Sequence, residues 1–274
     1  MRQIKIDLIK NAVIGLCIQA NIRLRHDILK QLKTALRIEK NIRAKKILKA
    51  IIENAAIAER SKLAICQDTG LPVVFIEIGQ DVHIIGGPLE KVVNDAVVSG
   101  YKKGYLRNSI VMDPVGRGKP EFGPAVIHTE IVPGEKIKLT ILPKGFGSEN
   151  KSQVKMFKPT TGLAQIKQFI IDVVNQAGPD ACPPFIVGVG VGGTQDYACL
   201  LAKKALLKKV GSKNSSLEKE LLIEINKLNI GPMGLGGKTT CLGVNIETYP
   251  THIAGMPVAV NISCHALRSA SVVL

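Results

Sequence analysis

Three of the six cysteines lie where a thiol could react or bind a metal. Cys66 stands in ICQDTG, Cys182 in DACPPF and Cys264 in ISCHAL, each at a predicted turn or strand end beside polar residues or proline. Gln67 and Asp68 follow Cys66 directly, so one predicted turn carries a thiol, an amide and a carboxylate. Three dispersed thiolates could hold three irons of a 4Fe–4S cluster and leave the fourth iron open as a Lewis acid.

The remaining cysteines leave this ligand set open. Cys17 and Cys199 lie in apolar helical patterns, where we expect each thiol to pack as a small hydrophobic group. Cys241, in KTTCLGV, competes for the place of the third ligand. The sequence contains no C-x-x-C pair, which argues against a zinc ribbon and a ferredoxin-type cluster.

Two glycine-rich segments resemble nucleotide-binding loops but depart from both patterns. GVGVGG, residues 188–193, follows a predicted strand and precedes a predicted helix that Thr194 could cap. The acidic residue that a dinucleotide fold needs about 20 positions later would fall in the polar stretch GSKNSSLE. GPMGLGGKTT has Pro232 where a phosphate-binding loop has its first glycine, so we expect a tight turn there.

The rest of the chain must position these residues, and its pattern changes along its length. Apolar residues recur every three or four positions in IDLIKNAVIGLCIQANI and HDILKQLKTALRIEK, which predicts helices over residues 1–60. Beyond Cys66, VVFIEIG, AVIHTEI, KIKLTILPKG and FIVGVGVGG predict strands, interleaved with several amphipathic helices. We predict an α+β fold in one compact domain, 1–274, with a helical N-terminal region 1–60 packed on mixed β-sheet in an α+β region, 61–274.

Composition and charge limit the class of protein. Hydrophobic residues make up 46% of the chain and aromatic residues 4%, which predicts a folded protein with an aliphatic core. The net charge of +15 is concentrated on predicted helices without interleaved aromatic residues, which favours solvated faces over a nucleic-acid site. An attraction for anionic substrates or an acidic partner is the alternative. No segment reaches the ~18 apolar residues of a membrane span, so we expect a cytoplasmic protein with no membrane partner.

The motifs, taken together, resemble one protein family. CQDTG, RNSIVMDPVGR, PKGFGSENKS, DACPPFIVGVGVGGT, GPMGLGGKTTCLGV and YPTHIAGMPVAVNISCHALR are similar to the α part of the class I, iron–sulfur-dependent fumarate hydratases and the related L-tartrate dehydratases. The resemblance implies the fold of the N-terminal domain of class I fumarases. It also implies reversible hydration of fumarate to malate, a reaction of the tricarboxylic acid cycle, with L-tartrate dehydration as the alternative.

The resemblance also implies roles for individual residues. Cys66, Cys182 and Cys264 would bind the 4Fe–4S cluster, and Asp68 and His252 would form an acid–base pair. Four further positions would contact the dicarboxylate substrate: Gln67, Arg107, Gly145 and Gly147. His265 is a candidate for supporting a ligand, and the family does not use the segment around Cys241 for cluster binding.

A second chain is expected as partner. Single-chain members of the family have a second half that supplies further basic residues and part of the acid–base machinery, whereas this sequence stops at Leu274. The resemblance therefore implies an α subunit that works with a β subunit, as an α homo-oligomer or an α/β hetero-oligomer. The rival class is a basic nucleic-acid-binding module, which would contain no iron.

Overall fold

The computed structural model describes residues 2–211 and 214–274, and it has the predicted α+β class with helices on mixed sheets. Within these residues the helices are α1 Ile6–Ile22, α2 His26–Ile38, α3 Ile42–Ser61, α4 Leu89–Lys103, α5 Phe146–Glu149, α6 Leu163–Ala177, α7 Gln195–Ala205 and α8 Ser216–Lys227. The strands are β1 Arg2–Lys5, β2 Leu71–Gly79, β3 Val82–Ile85, β4 Ile110–Asp113, β5 Arg117–Glu121, β6 Val126–Val132, β7 Ile137–Lys144, β8 Gln153–Phe157, β9 Phe185–Gly193, β10 Cys241–Thr251, β11 Met256–Ser263 and β12 Ala270–Val273.

The chain forms two compact units. Unit 1 consists of residues 2–25, Ala55–Gly145 and Arg268–Leu274, and unit 2 of His26–Asn54 and Phe146–Leu267. Each unit has its own four-stranded sheet and its own aliphatic core. No helix in the described part of the chain is both long enough and apolar enough to cross a membrane.

The main sheet of unit 1 has the strand order β12-β7-β2-β6, in which β2 is parallel to β6 and antiparallel to β7. Helices α1 and α4 pack together on this sheet because each has a continuous apolar face. On α1 that face recurs every three or four residues, at Ile9, Val13, Leu16 and Ala20, all buried. Gly100 lets the two helices approach, since a Cβ there would lie 2.9 Å from the Cβ of Cys17.

The sheet of unit 2 has the strand order β10-β9-β11-β8, with β9 parallel to β10 and antiparallel to β11. The predicted strand around GVGVGG is confirmed as β9, and its glycines allow helix α7 to pack closely against the strand. A Cβ on Gly188 or Gly190 would collide with the carbonyl oxygens of Ala202 or Ala198 in α7. Residues 212–213 of the stretch GSKNSSLE lie outside the described residues.

Thr194 stands at the N-cap position of α7, but its predicted side-chain cap is wrong. The Thr194 hydroxyl donates to Asp196 Oδ1 at 2.5 Å and accepts no hydrogen bond from the first turn. The hydroxyl is therefore oriented toward the Asp196 carboxylate. Helix α8, in contrast, begins with a complete capping box between Ser215 and Glu218.

Candidate active site

The predicted site residues divide between the two units, and unit 1 holds the turn that carries Cys66, Gln67 and Asp68. This turn joins α3 to β2. Asp68 Oδ1 accepts a hydrogen bond from the Gly70 amide at 2.9 Å, which closes a tight turn of the Asx type. The Cys66 thiol is half-buried and donates to Gln67 Oε1 at 3.2 Å, while Gln67 itself is exposed. The thiol and the carboxylate therefore sit on one short, hydrogen-bonded segment.

Glycine is required where this turn meets strand β7. Gly70 has a φ of +74°, and a Cβ on it would lie 2.7 Å from the carbonyl carbon of Pro143 and 2.8 Å from the amide nitrogen of Lys144. The same approach brings the carboxylate of Asp68 to Gly145, where a Cβ would lie 3.2 Å from Asp68 Oδ2. Two of the predicted site residues, Asp68 and Gly145, are thus neighbours.

Arg107 is fixed to the same turn through its backbone. Its amide donates to the hydroxyl of Thr69 at 3.0 Å, and Thr69 is buried. The side chain of Arg107 is exposed. The main-chain anchor therefore fixes the backbone of Arg107 to the residue that follows Asp68.

Buried groups hold the carbonyl oxygens of the turn. The Tyr101 hydroxyl lies 3.0 Å from Thr69 O and 3.1 Å from Gly70 O, and it donates to this pair. Burial raises the pKa of Tyr101 far above its ordinary value, so the hydroxyl keeps its proton. Arg268 Nη2 donates to Asp68 O at 2.7 Å. Three consecutive carbonyls, from Asp68 to Gly70, therefore face donors from the core of unit 1.

Unit 2 brings the segments of Cys182 and Cys264 together. Cys182 ends a 3-10 turn, Gly178–Ala181, with a left-handed φ of +54°. Its carbonyl oxygen accepts from the amide of His265 at 3.3 Å and lies 3.0 Å from the ring Nδ1 of His265. A carbonyl oxygen can only accept, so Nδ1 carries the proton. His265, expected to support a ligand, thus binds the main chain of one predicted ligand and follows the other in sequence.

The glycine-rich segment GPMGLGG forms the predicted tight turn beside Cys182. Gly231 has a φ of +68°, and a Cβ there would collide with Gly236 O. The Met233 amide donates to Pro183 O at 2.9 Å, which ties the turn to the residue after Cys182. The segment therefore supports the cysteine loop.

His252 and Gly147, the other predicted site residues of unit 2, are both exposed, His252 in the bend between β10 and β11 and Gly147 in the short helix α5. The ring Nδ1 of His252 accepts from the Ala254 amide at 3.1 Å, so the neutral ring carries its proton on Nε2. A Cβ on Gly147 would come no nearer than 3.8 Å to Asp180 O, an ordinary contact. Crowding within unit 2 therefore does not explain the glycine at position 147.

The remaining cysteines separate into buried and exposed. Cys17 is buried as predicted, and burial raises the pKa of its thiol to about 12. Cys241 is also buried, its thiol donates to Gly243 O at 3.2 Å, and burial raises its pKa to about 12. A metal ligand must be a thiolate, which this environment disfavours at Cys241. The prediction for Cys199 is wrong: it is exposed, because α7 buries its alanine-rich opposite face.

The donor set agrees with thiolate ligation of a cluster. Cys66, Cys182 and Cys264 are all thiols outside disulfides and all only part-buried, in contrast to Cys17 and Cys241. Among the described residues, no three His, Cys, Asp or Glu lie close enough together to hold a metal ion. The structure joins the segments of Cys182 and Cys264 and places Cys66 in unit 1, so the shared ligand set stays a prediction.

Comparison with known proteins identifies the family. Residues 10–273 match the family described as fumarate hydratase (Fumerase). The chain belongs to the fumarate hydratase family. The resemblance drawn from the motifs is thereby confirmed.

The relatives of this chain within the fumarate hydratase family include tartrate dehydratase subunits. It is 40% identical over 279 residues to the putative L(+)-tartrate dehydratase subunit alpha of Methanocaldococcus jannaschii, covering 96% of each chain. It is 32% identical over 251 residues to the L(+)-tartrate dehydratase subunit alpha of Escherichia coli strain UTI89, covering 88% of this chain and 82% of the relative. The Shigella sonnei subunit of the same name is 31% identical with the same coverage.

Two buried hydrogen-bond donors of the candidate site, Tyr101 and Arg268, were not predicted from the sequence. Tyr101 follows Val93 and Val97 at intervals of four on the buried face of α4, a spacing that marks it as a core residue with a polar tip. Arg268 is a charged residue just after the motif CHAL, and it is only 3% exposed. A lone basic residue in an apolar stretch was visible in the sequence, but its partner, the carbonyl oxygen of Asp68, could not be identified there.

Proposed function

We propose that this chain is the α subunit of a two-subunit 4Fe–4S hydro-lyase that hydrates fumarate to malate reversibly. The family match and the α-subunit names of its relatives support this proposal. The observation that carries it is the turn of unit 1, which holds a part-buried thiol and a carboxylate two residues apart, with Arg107 and Gly145 beside them. A cation can bind one carboxylate of a small dicarboxylate, and a neighbouring carboxylate can move a proton.

The cluster ligands in this proposal are Cys66, Cys182 and Cys264. When bound, the cluster supplies a Lewis-acidic iron for the hydroxyl group that is added or removed. The three thiols must stay reduced to bind iron, so a cytoplasmic location belongs to the same proposal.

Asp68 and His252 move the proton in this proposal. Asp68 Oδ1 accepts from the Gly70 amide, and Oδ2 is the oxygen that lies nearest the Cβ position of Gly145. His252 has Nδ1 engaged by the Ala254 amide, which leaves the proton on Nε2 at the exposed edge of the ring. Each group thus has one atom fixed by the backbone, which orients the group that would transfer the proton.

Arg107 and Gln67 bind the substrate in this proposal. The Arg107 guanidinium is always charged and can form two parallel hydrogen bonds to one carboxylate of the substrate. Gln67 is exposed on the same turn and offers amide donors. A dicarboxylate has a second charge to neutralise, so we assign the missing cation to a β subunit.

L(+)-tartrate dehydration is the second candidate reaction. The names of the three relatives favour it, since each is a tartrate dehydratase subunit. Tartrate carries one more hydroxyl than malate, and a site that pairs this hydroxyl would discriminate strongly against malate.

The test begins with iron and acid-labile sulfide in chain purified without oxygen, where we expect about four irons per chain. The chain is then co-produced with a β subunit of this family and assayed with fumarate, malate and L(+)-tartrate. Activity is expected only with both subunits. Iron-free protein that binds DNA with a steep salt dependence would support the rival module, and high turnover by the chain alone would contradict the need for a β subunit.

A further inference from the structure

Arg268 is a buried arginine whose side chain contacts the turn of the candidate site. Its side chain is 3% exposed, and its Nη2 donates to Asp68 O at 2.7 Å. A guanidinium does not lose its proton in a protein, so this hydrogen bond is charge-assisted and roughly twice as strong as a neutral one. The bond fixes the main chain of Asp68 and does not occupy its carboxylate.

The other two nitrogen atoms of the Arg268 guanidinium lack hydrogen-bond acceptors in the described part of the chain. Nε and Nη1 are buried and have no acceptor among the residues that the structure describes. Burying a cation with part of its donors unfilled opposes folding, and apolar replacement of buried charged groups is often neutral or stabilising in proteins. The charge at this place is therefore not explained by stability.

Position in the turn supplies the explanation. Arg268 holds the carbonyl of Asp68, and Tyr101 lies within hydrogen-bond distance of the next two carbonyls, those of Thr69 and Gly70. The carboxylate of Asp68 is oriented by the next peptide unit, because its Oδ1 accepts from the Gly70 amide, and Tyr101 contacts the Thr69 carbonyl of that same unit. Rotation of the 68–69 peptide would displace the Gly70 amide and weaken the hydrogen bond that orients the carboxylate.

We propose that Arg268 is a positioning residue for Asp68: it holds the 68–69 peptide and thereby keeps the Gly70 amide where it orients the carboxylate. This inference rests on the proposed role of Asp68 in proton transfer. A misplacement of about 1 Å can lower a rate ~100-fold, so loss of this hydrogen bond reduces turnover without removing any group that touches substrate.

The experiment compares Arg268→Gln, Arg268→Lys and Tyr101→Phe in the cluster-loaded two-subunit enzyme. Arg268→Gln is expected to lower kcat by roughly 10- to 100-fold with KM changed less than about 3-fold, while iron and sulfide stay at wild-type levels. Arg268→Lys keeps a charged donor and should recover part of kcat. Tyr101→Phe keeps all charges and should also lower kcat, which tests the positioning of the turn even where Arg268→Gln does not fold.

A second readout does not depend on activity. Hydrogen exchange of the amides in residues 66–72 should accelerate in Arg268→Gln and Tyr101→Phe. The matched control is Arg2→Gln, since Arg2 also donates to main-chain carbonyls of unit 1, those of Glu135 and Leu274, but is exposed. Arg2→Gln should leave both kcat and exchange at 66–72 unchanged.

The outcomes separate this inference from the proposed function. A wild-type enzyme that turns over no dicarboxylate would defeat the proposed function, and the exchange data would still show whether Arg268 holds the turn. An active wild type with unchanged kcat in Arg268→Gln would overturn the positioning role. So would a loss of kcat with wild-type exchange at residues 66–72.

Discussion

Replacing Gly70 by alanine tests the close approach that brings Asp68 to Gly145. The substitution has two costs. A side chain at φ +74° in the left-handed region costs about 1–2 kcal/mol. The new Cβ would lie 2.7–2.9 Å from backbone atoms of Pro143 and Lys144, and forcing such a group into a packed site costs typically 1–3 kcal/mol. Together, Gly70→Ala should destabilise the chain by about 2–5 kcal/mol.

Gly118 provides the matched control, because it shares only the first of these costs. Its φ is +70°, and nothing lies within 4 Å of a Cβ placed there. Gly118→Ala should therefore cost about 1–2 kcal/mol. The difference between the two variants isolates the contact between the turn and β7.

Urea unfolding followed by circular dichroism measures both variants, with stability taken from the midpoint and slope. In the two-subunit enzyme, Gly70→Ala should also lower kcat at a temperature where it is fully folded, because β7 must move away from Asp68. Gly118→Ala should not. If Gly70→Ala proves no more destabilising than Gly118→Ala, the packing of the Asp68 turn on β7 is wrong.

Three further predictions follow from the site and the cysteines. Asp68→Asn or His252→Asn in the two-subunit enzyme should lower the rate ~100-fold or more with iron content intact; normal turnover by either loaded variant would remove that residue from the mechanism. Cys66→Ser should lose iron and sulfide whereas Cys241→Ser should keep them, and the opposite pattern would make Cys241 a ligand. The folded-state pKa of Cys17 and of Cys241 is about 12 against 9.0 for an ordinary thiol. Only the unfolded chain then releases these protons above about pH 9, so their contribution to stability is complete below that pH and is lost as pH rises toward 12. The urea midpoint should fall over this range, less so in Cys241→Ala, and an equal fall in both proteins would contradict the assignment.

Long periodic segments were predictable because their pattern is local. The interval of four that joins Val93, Val97 and Tyr101 is visible in the sequence and is the buried face of α4. Strand β1 was not predictable, because its four residues are stabilised by parallel pairing with β3, Arg2 opposite Val82 and Lys5 opposite Ile85. Nothing within RQIK distinguishes it from the start of the helix that follows.

The glycines of β9 show why a motif match is a weak argument. A nucleotide loop and a strand that carries a closely packed helix both need positions without a Cβ. In GVGVGG the structure uses this property at Gly188 and Gly190 to admit α7. The burial of Cys199 was mispredicted on the same helix. The buried face of α7 includes the small residues Ala198, Ala202 and Ala205, and Cys199 lies outside that face although the whole segment is apolar in character.

The candidate site was predictable in its side chains and not in its support. Cys66, Asp68 and Arg107 could be named from motifs, whereas the contact between Arg268 and Asp68 joins residues 200 positions apart. Such a contact exists only after β12 has returned to the sheet of unit 1. The turn therefore depends on the whole unit: its exposed side chains provide the proposed chemistry, and buried donors fix the carbonyls behind them. Arg268 and Tyr101 hold the carbonyls of residues 68–70, which follow Cys66, so loss of either donor should disturb proton transfer at Asp68 while Cys66 keeps its iron.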